Sequence, residues 1–440
     1  MSIKNKLRRY VPKTVLDNFH YPESIFYAKK YKKPSSNMIV IGVVGSKGKT
    51  TTANFVWSVL TAAGHMVGQI GTANIRIGND ESPNPWHMTM PGAKKMQTLL
   101  AKMQNKGCNF VVMEVPSEAQ TQWRHIGIEF DVIIFTGVEQ EIMAAHRGSM
   151  EILHKHNKRV LSSTANSSQK IINHKNIEKV LIANADSPYI NDYSLFDFDH
   201  RLTYSIDKPS DYRATELKVS STGTSFKING HKYRINLIGN VNALNAAAAT
   251  SVAEVFNVLP AQIQEGFKNL KTIPGRMEKI NLGQKFLVFV DYAHDQISLT
   301  KLLETGRQLI DDKNKIIVLF GGQGGGRDIK KRAEMGKIAA KLADYVVVSD
   351  DDPYDDDPMQ IINDIAEGAE KYGKVKDKDL FLIQDRRRGI YKALKLAKPG
   401  DLVFIACKGA DQLMMIANNK SIKWDDREVT REELSKIVKK

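Results

Sequence analysis

Ile39–Val44 is an unbroken run of isoleucine, valine and one glycine, and it leads straight into Gly45-Ser46-Lys47-Gly48-Lys49-Thr50-Thr51-Thr52. A segment apolar on both faces fits a strand buried on both sides, as in a parallel sheet. Thr51–Ala63, which follows, reads as a helix. A glycine-bearing loop between a strand's end and a helix's start lets backbone wrap a phosphate. The helix adds unsatisfied N–H groups and the positive end of its dipole. Lys49 would then reach the β- and γ-phosphates, and the Thr50 hydroxyl would hold Mg²⁺. The full pattern has glycine at position 43, where this chain has Val43, so the loop is the shorter G-x-x-G-K-T-T. In this strand–loop–helix setting a phosphate site outweighs a structural turn.

Around that centre the chain is too long, at 440 residues, for a single ordinary core. Its two cysteines, Cys108 and Cys407, build neither a disulfide framework nor a four-cysteine metal site, and a reducing cytoplasm is the natural setting. The apolar runs are strand-length, short of the ~18 residues that span a bilayer. The net charge of +15 invites a nucleic-acid partner. The basic residues are spread along the chain without an RNA- or DNA-binding signature, so anionic small molecules explain them better.

Four stretches differ in character. Residues 1–36 carry nine Lys/Arg against two acids, a net +7, interleaved with Tyr10, Phe19, Tyr21, Phe26, Tyr27 and Tyr31. Such a leader suits either packing on the next domain or peripheral contact with an anionic membrane surface. Pro34-Ser35-Ser36-Asn37 reads as a linker. Strand runs at Ile39–Val44, Phe110–Met113, Val132–Thr136 and Val180–Ala183 then alternate with helical stretches. Residues 201–238, with Leu202-Thr203-Tyr204 and a turn at Asn229-Gly230, read as a hairpin-bearing β excursion, and Asn245–Val255 as an alanine-rich helix. After Ile273-Pro274-Gly275 a second alternating set begins, with strand runs Phe286–Val290, Ile316–Phe320, Tyr345–Ser349 and Leu402–Ala406.

The chemistry-bearing residues fall at the ends of these runs. Glu114, at the carboxyl end of a strand, suits a metal ligand, since ligands collect there in open α/β sheets; a solvent-facing acid is the plainer alternative. His65, His87 and His125 lack metal-site spacing. Phe55, Trp57 and Leu60 read as one packed helix face, and Arg386-Arg387-Arg388 as a solvated one.

The phosphate loop resembles that of the Mur ligase family, and matching segments follow in the family's order. They are Val112-Met113-Glu114-Val115-Pro116-Ser117, Leu237–Asn245, Pro274-Gly275-Arg276-Met277-Glu278, Val290-Asp291-Tyr292-Ala293-His294, Gly324–Asp328, Asp350–Pro353 and Cys407-Lys408-Gly409. Single segments are weak patterns; seven in order are strong. The resemblance covers about residues 38–440 and is nearest to the branch that adds the third peptide residue. It implies an α/β fold: a basic leader (1–37), a P-loop ATPase-like central domain with a parallel sheet (38–272) and a Rossmann-like C-terminal domain (273–440). It also implies a cytoplasmic ligase that uses ATP and Mg²⁺. Such a ligase would join an amino acid to a muramoyl-peptide-like acceptor through an acyl phosphate, releasing ADP.

By the same resemblance Gly45, Ser46, Lys47, Gly48, Lys49, Thr50 and Thr51 hold phosphates, with Thr50 and Glu114 on the metal. Arg276 serves the phosphates, Asn242 and Asn245 the adenine side, and Asp291 and His294 the ribose side. A helix cap and a turn acid are the plain readings of Asn245 and Asp291. Arg327, Asp351, Asp352, Tyr354 and Lys408 fall at the amino-acid end.

Three departures stand out. The family's leading UDP-gripping domain has no counterpart in the roughly 36 residues before the ATPase-like domain, which suggests a short form. Around the family's carbamylated lysine the chain has Ile142 where a histidine is expected and Asn157 at the lysine position, with Lys158 next to it as the substitute. Where the diaminopimelate-adding pattern carries an arginine, this chain has Tyr354, and a phenol cannot clamp a carboxylate in two-pronged fashion. The alternatives are a folylpolyglutamate-type ligase and a non-catalytic ATP-binding subunit supporting a partner enzyme.

Overall fold

The computed structural model describes residues 13–86, 88–139, 149–326, 329–418 and 420–438. Contacts divide the chain into two units. One runs to Lys218 and resumes over Gly223–Lys271; the other comprises Val219–Thr222 and Thr272–Lys440.

The first unit opens with α1 (Lys13–Lys30) and a 3₁₀ turn at Pro34–Asn37. That turn is not a linker. Pro34 and Ser35 are buried, and the Ser35 hydroxyl accepts from the Glu129 amide at 3.1 Å. Next come β1 (Ile39–Val44), α2 (Lys49–Ala62), β2 (Val67–Ile70), β3 (Asn74–Ile77), β4 (Asp80–Pro83), α3 (Ala93–Asn105), β5 (Phe110–Glu114), α4 (Ser117–Thr121), β6 (Val132–Phe135) and α5 (Met150–Ala165). After the small pair β7 (Lys170–Ile172) and β8 (Lys175–Ile177) come β9 (Val180–Asn184), α6 (Ile190–Tyr193), β10 (His200–Ser205) and β11 (Tyr212–Arg213). The nine-stranded sheet has the order β11-β10-β9-β6-β1-β5-β2-β3-β4. It is parallel from β11 to β2, with β3 and β4 antiparallel at one edge. Its central strands are buried along their length, as their continuous apolar sequences require.

Leu202-Thr203-Tyr204 therefore belongs to this sheet, in β10, and not to a separate β excursion. The excursion is confined to β12 (Thr215–Ser220), β13 (Gly223–Ile228) and β14 (His231–Ile235). Asn229 and Gly230 make its turn with φ of 48° and 82°, pairing Ile228 with His231. The alanine-rich helix α7 starts at Asn240, earlier than the alanines suggested, and ends at Val255; α8 (Pro260–Asn269) packs on α2.

At the amino ends of the strands, Asp131 is fully buried between two lysines. It lies 2.6 Å from Lys170 and 3.0 Å from Lys179, and it also accepts from the Val40 amide. The two ammonium groups satisfy the carbonyls of Met38, Glu129 and Phe130, so this charged knot ties the ends of three segments together.

His125, after α4, is 1 % exposed, and neither ring nitrogen has a hydrogen-bond partner among the described residues. Burial, helped by nearby Arg159, lowers its pKa from 6.5 to about 3. The ring is thus neutral in the fold but takes up a proton below pH 6.5 once unfolded. Its contribution is intact above pH 6.5 and is lost as pH falls towards 3, at up to about 1.4 kcal/mol per pH unit. In urea unfolding between pH 7 and 4.5, the stability of the wild type should fall more steeply with falling pH than that of His125→Phe; parallel curves would reject it.

The second unit holds a six-stranded sheet. Its strands are β15 (Glu278–Lys279), β16 (Leu287–Val290), β17 (Ile316–Phe320), β18 (Tyr345–Val348), β19 (Leu380–Leu382) and β20 (Leu402–Ile405). The order is β15-β16-β20-β17-β18-β19, parallel except for β15. Helices α9 (Gln296–Arg307), α10 (Lys330–Leu342), α11 (Pro358–Glu370), α12 (Arg386–Leu396) and α13 (Asp426–Val438) accompany it, with a hairpin of β21 (Leu413–Ile416) and β22 (Lys420–Lys423). Asp295 caps α9 by accepting from the Ser298 amide at 3.0 Å. Arg386 overturns the solvated-face reading. It is buried and clamps Asp426 with two bonds of 2.8 and 2.6 Å, while donating to the carbonyls of Asp350 and Ala406. No described helix is long and apolar enough to cross a membrane.

Candidate active site

In the first unit the loop after β1 is built on two glycines in conformations that side chains rarely adopt. Gly45 has φ 130°, and a Cβ there would sit 2.3 Å from the Thr136 hydroxyl; Gly48, φ 82°, would meet Asn245 at 2.7 Å. The Ser46 amide donates to the Gly137 carbonyl at 2.9 Å, and the Thr136 hydroxyl reaches the carbonyls of Val44 and Lys47. Lys49 opens α2 and folds its ammonium back over the loop, donating to the carbonyls of Gly45 at 2.7 Å and Ser46 at 3.0 Å. Thr51 is buried in the same first turn of α2.

Glu114, which ends β5 opposite Val43 of β1, is 1 % exposed. One carboxylate oxygen accepts from the Thr50 hydroxyl and the Thr72 hydroxyl, both at 2.9 Å; the other accepts from the Thr72 amide at 2.7 Å. No cation lies within ion-pair distance of it among the described residues. Sheet order explains the meeting, since β5 lies between β1 and β2 and their carboxyl ends open side by side. Across the loop, Asn245 of α7 accepts from Thr52 at 3.2 Å and donates to Asn242 at 3.4 Å, and Asn242 donates to the Ile238 carbonyl.

In the second unit, Asp291 follows β16 and accepts from the amides of Met277 at 2.7 Å and Ala293 at 2.9 Å. Burial raises its pKa, opposed by the Arg276 guanidinium and these amides. Arg276 stacks over the Tyr292 ring at 4.5 Å, and the His294 ring contacts the same tyrosine edge-on at 4.7 Å. After β18 and β20, the buried Lys408 ammonium lies 2.8 Å from Asp352 and 3.7 Å from both Asp351 and Asp411. These carboxylates raise it to about 12. Neither Asp351 oxygen has a hydrogen-bond partner among the described residues, and burial raises its pKa. Tyr354, with φ 54°, packs against Gly325.

The middle of the chain, 43–253, matches the family description Mur ligase middle domain, and 275–409 matches Mur ligase, glutamate ligase domain. A ligase of Syntrophomonas wolfei, named UDP-N-acetylmuramoyl-L-alanyl-D-glutamate--2,6-diaminopimelate ligase, is 34% identical over 420 residues, 94% of this chain and 82% of the relative. This chain belongs to the Mur ligase family. A UDP-N-acetylmuramyl-tripeptide synthetase of Roseiflexus sp. is 32% identical, covering 92% of this chain and 80% of its own length. The fold is shared more widely. A folylpolyglutamate synthase of Mycobacterium tuberculosis superposes with a TM-score of 0.66 at 15% identity, over 87% of this chain and 91% of that one.

In this Mur ligase the structure gathers Gly45–Thr51, Glu114, Asn242 and Asn245 in the first unit. In the second it gathers Arg276 with Asp291 and His294, and separately Asp351, Asp352 and Lys408. Lys158 is not brought to Glu114. Its ammonium lies 4.0 Å from Asp192 and 5.4 Å over the Tyr193 ring, whereas the buried Asn157 faces α4 through Gln120. Arg327, Ile142 and His87 lie outside the described residues. Thr72 was missed by the sequence reading; its only local signal is its place just past β2. A buried, un-neutralised carboxylate beside a threonine hydroxyl fits Mg²⁺, which takes one or two carboxylates and completes its shell with phosphate and water.

Proposed function

We propose that this chain uses ATP to join an amino acid to the carboxylate of a UDP-N-acetylmuramoyl-peptide acceptor, in the synthesis of peptidoglycan precursors. The observation that carries this reading is the meeting of Thr50, Glu114 and the Lys49 loop in a chain one-third identical to ligases with that activity. The acceptor carboxylate oxygen attacks the γ-phosphorus and displaces ADP. The amine nitrogen then attacks the acyl carbon, phosphate leaves, and the amine gives up a proton.

Little covalent work falls to the protein beyond holding these groups and offsetting their charge. Lys49 leaves the loop carbonyls for the β/γ-phosphates, the loop amides take phosphate oxygens, and Arg276 adds a second cation. Thr50 and Glu114 would hold Mg²⁺, which when bound would draw charge from the phosphate oxygens. Asn242 and Asn245 serve the adenine, Asp291 and His294 the ribose.

The amino-acid end is proposed at Asp351, Asp352, Tyr354, Lys408 and Arg327. Three carboxylates there surround one ammonium, and Tyr354 offers a phenol where a guanidinium would bind a distal carboxylate. We therefore expect diaminopimelate to be a poor substrate, with kcat/KM at least ~10-fold below that of the best neutral or basic amino acid. Phosphate release with a muramoyl-dipeptide acceptor and competing amino acids tests both levels. Acceptor-dependent release with diaminopimelate preferred would reject the selectivity, and no amino-acid-dependent release at all would reject the ligase reading.

A further inference from the structure

The leader helix α1 is anchored on one side only. Ser24 and Ala28 are buried, Ser24 donates to the Trp123 carbonyl at 3.1 Å, and the Tyr31 hydroxyl accepts from Thr98 at 2.9 Å. The other side faces water with an unusual set of side chains. Phe26 is 58 % exposed and touches only the edge of Tyr27 among described aromatic rings, whereas Tyr21 lies towards the anchored side, its ring edge-on to Trp123 at 5.4 Å. At 100° per residue, Pro22, Phe26, Lys29 and Lys30 share one arc of roughly 100°. Lys32 and Lys33 follow in left-handed backbone just past the helix, and all of these side chains are exposed.

The charge on this face is uncompensated. Glu23 is hydrogen-bonded to the His20 ring at 3.0 Å and Lys33 pairs with Glu129 at 3.5 Å, while Lys29, Lys30 and Lys32 have no ion-pair partner among the described residues. Lysines in a last helical turn complement the helix dipole. That accounts for Lys29 and Lys30, but not for a water-facing phenylalanine one turn earlier or for Lys32.

A ring beside lysines on one exposed helix face fits the boundary of a bilayer. There the ring lies among headgroups and the long lysine stems reach acidic phosphates. Nucleic acid would favour arginine, with its two-pronged phosphate contacts, and residues 13–36 contain none. We propose that this face of α1 docks the enzyme on an anionic lipid surface, with Phe26 at the headgroup boundary and Lys29, Lys30 and Lys32 over acidic headgroups.

The test is co-sedimentation of the full chain with vesicles of phosphatidylglycerol mixed into phosphatidylcholine, and with phosphatidylcholine alone. Binding should need the anionic lipid and weaken in 0.5 M salt, where the Debye length is roughly half that at 0.1 M. Each lysine near such a surface contributes about fivefold. The combined Lys29→Glu, Lys30→Glu, Lys32→Glu variant should therefore lose at least ~100-fold in partition, and Phe26→Ser about tenfold. All these side chains are exposed, so ATP binding should stay as in the wild type, and the melting temperature should fall only by the small amount that acids in a last helical turn cost. Binding no stronger to anionic than to neutral vesicles would overturn the proposal. So would variants that sediment like the wild type, or single-stranded RNA that displaces the protein while Phe26→Ser changes nothing.

Discussion

Replacing Lys49 by alanine is expected to lower ATP turnover by about three orders of magnitude and to weaken ATP binding at least tenfold, in a protein that still folds. The ammonium lies over the loop, held by two main-chain carbonyls that it can exchange for phosphate oxygens without moving the backbone. Those two bonds are partly exposed, so their loss costs stability only about 1 kcal/mol. Calorimetric titration of ATP into Lys49→Ala, with thermal unfolding alongside, checks both halves. Unchanged affinity in a folded variant would remove the phosphate assignment.

Glu114→Gln should act through the metal. The carboxylate is buried with hydroxyl and amide donors but no counter-cation among the described residues, a costly arrangement until a cation arrives. The amide has nearly the same shape and keeps an acceptor oxygen for Thr72. Without Mg²⁺ the variant should thus be at least as stable as the wild type. With ATP present, the Mg²⁺ concentration needed for half-maximal turnover should rise by about 30-fold or more. Titration of Mg²⁺ against activity, with melting temperature read with and without the ion, separates these effects. An unaltered Mg²⁺ dependence would show that Glu114 is no ligand.

How far sequence reached depended on the range of the interactions involved. Ile39–Val44 and its loop were legible because burial on both faces, glycine placement and the helix start are all local signals, and they agree. Leu202–Tyr204 was assigned to the wrong sheet because a short strand pattern says nothing about its neighbour; pairing with β9 is decided by tertiary packing. Arg386 looked like one of three surface cations because its partner Asp426 lies forty residues on, in another helix. Thr72 carries no motif and matters only because β2 lies beside β5. Lys158 has the chemistry the site would need, but its position on α5 turns it towards Asp192, and Asn157 takes the side that faces α4. Short-range chemistry was thus readable, whereas side-chain direction and strand neighbours were not.

The central claim, an acyl phosphate formed from ATP and the acceptor, is tested most directly by an isotope label. A muramoyl-dipeptide acceptor carrying ¹⁸O in the reacting carboxylate is incubated with ATP, Mg²⁺ and the preferred amino acid, and the released phosphate is examined by mass spectrometry. The account predicts one ¹⁸O in each inorganic phosphate released, ADP as the nucleotide product, and no release when the acceptor is omitted. Unlabelled phosphate, or AMP with pyrophosphate, would contradict it.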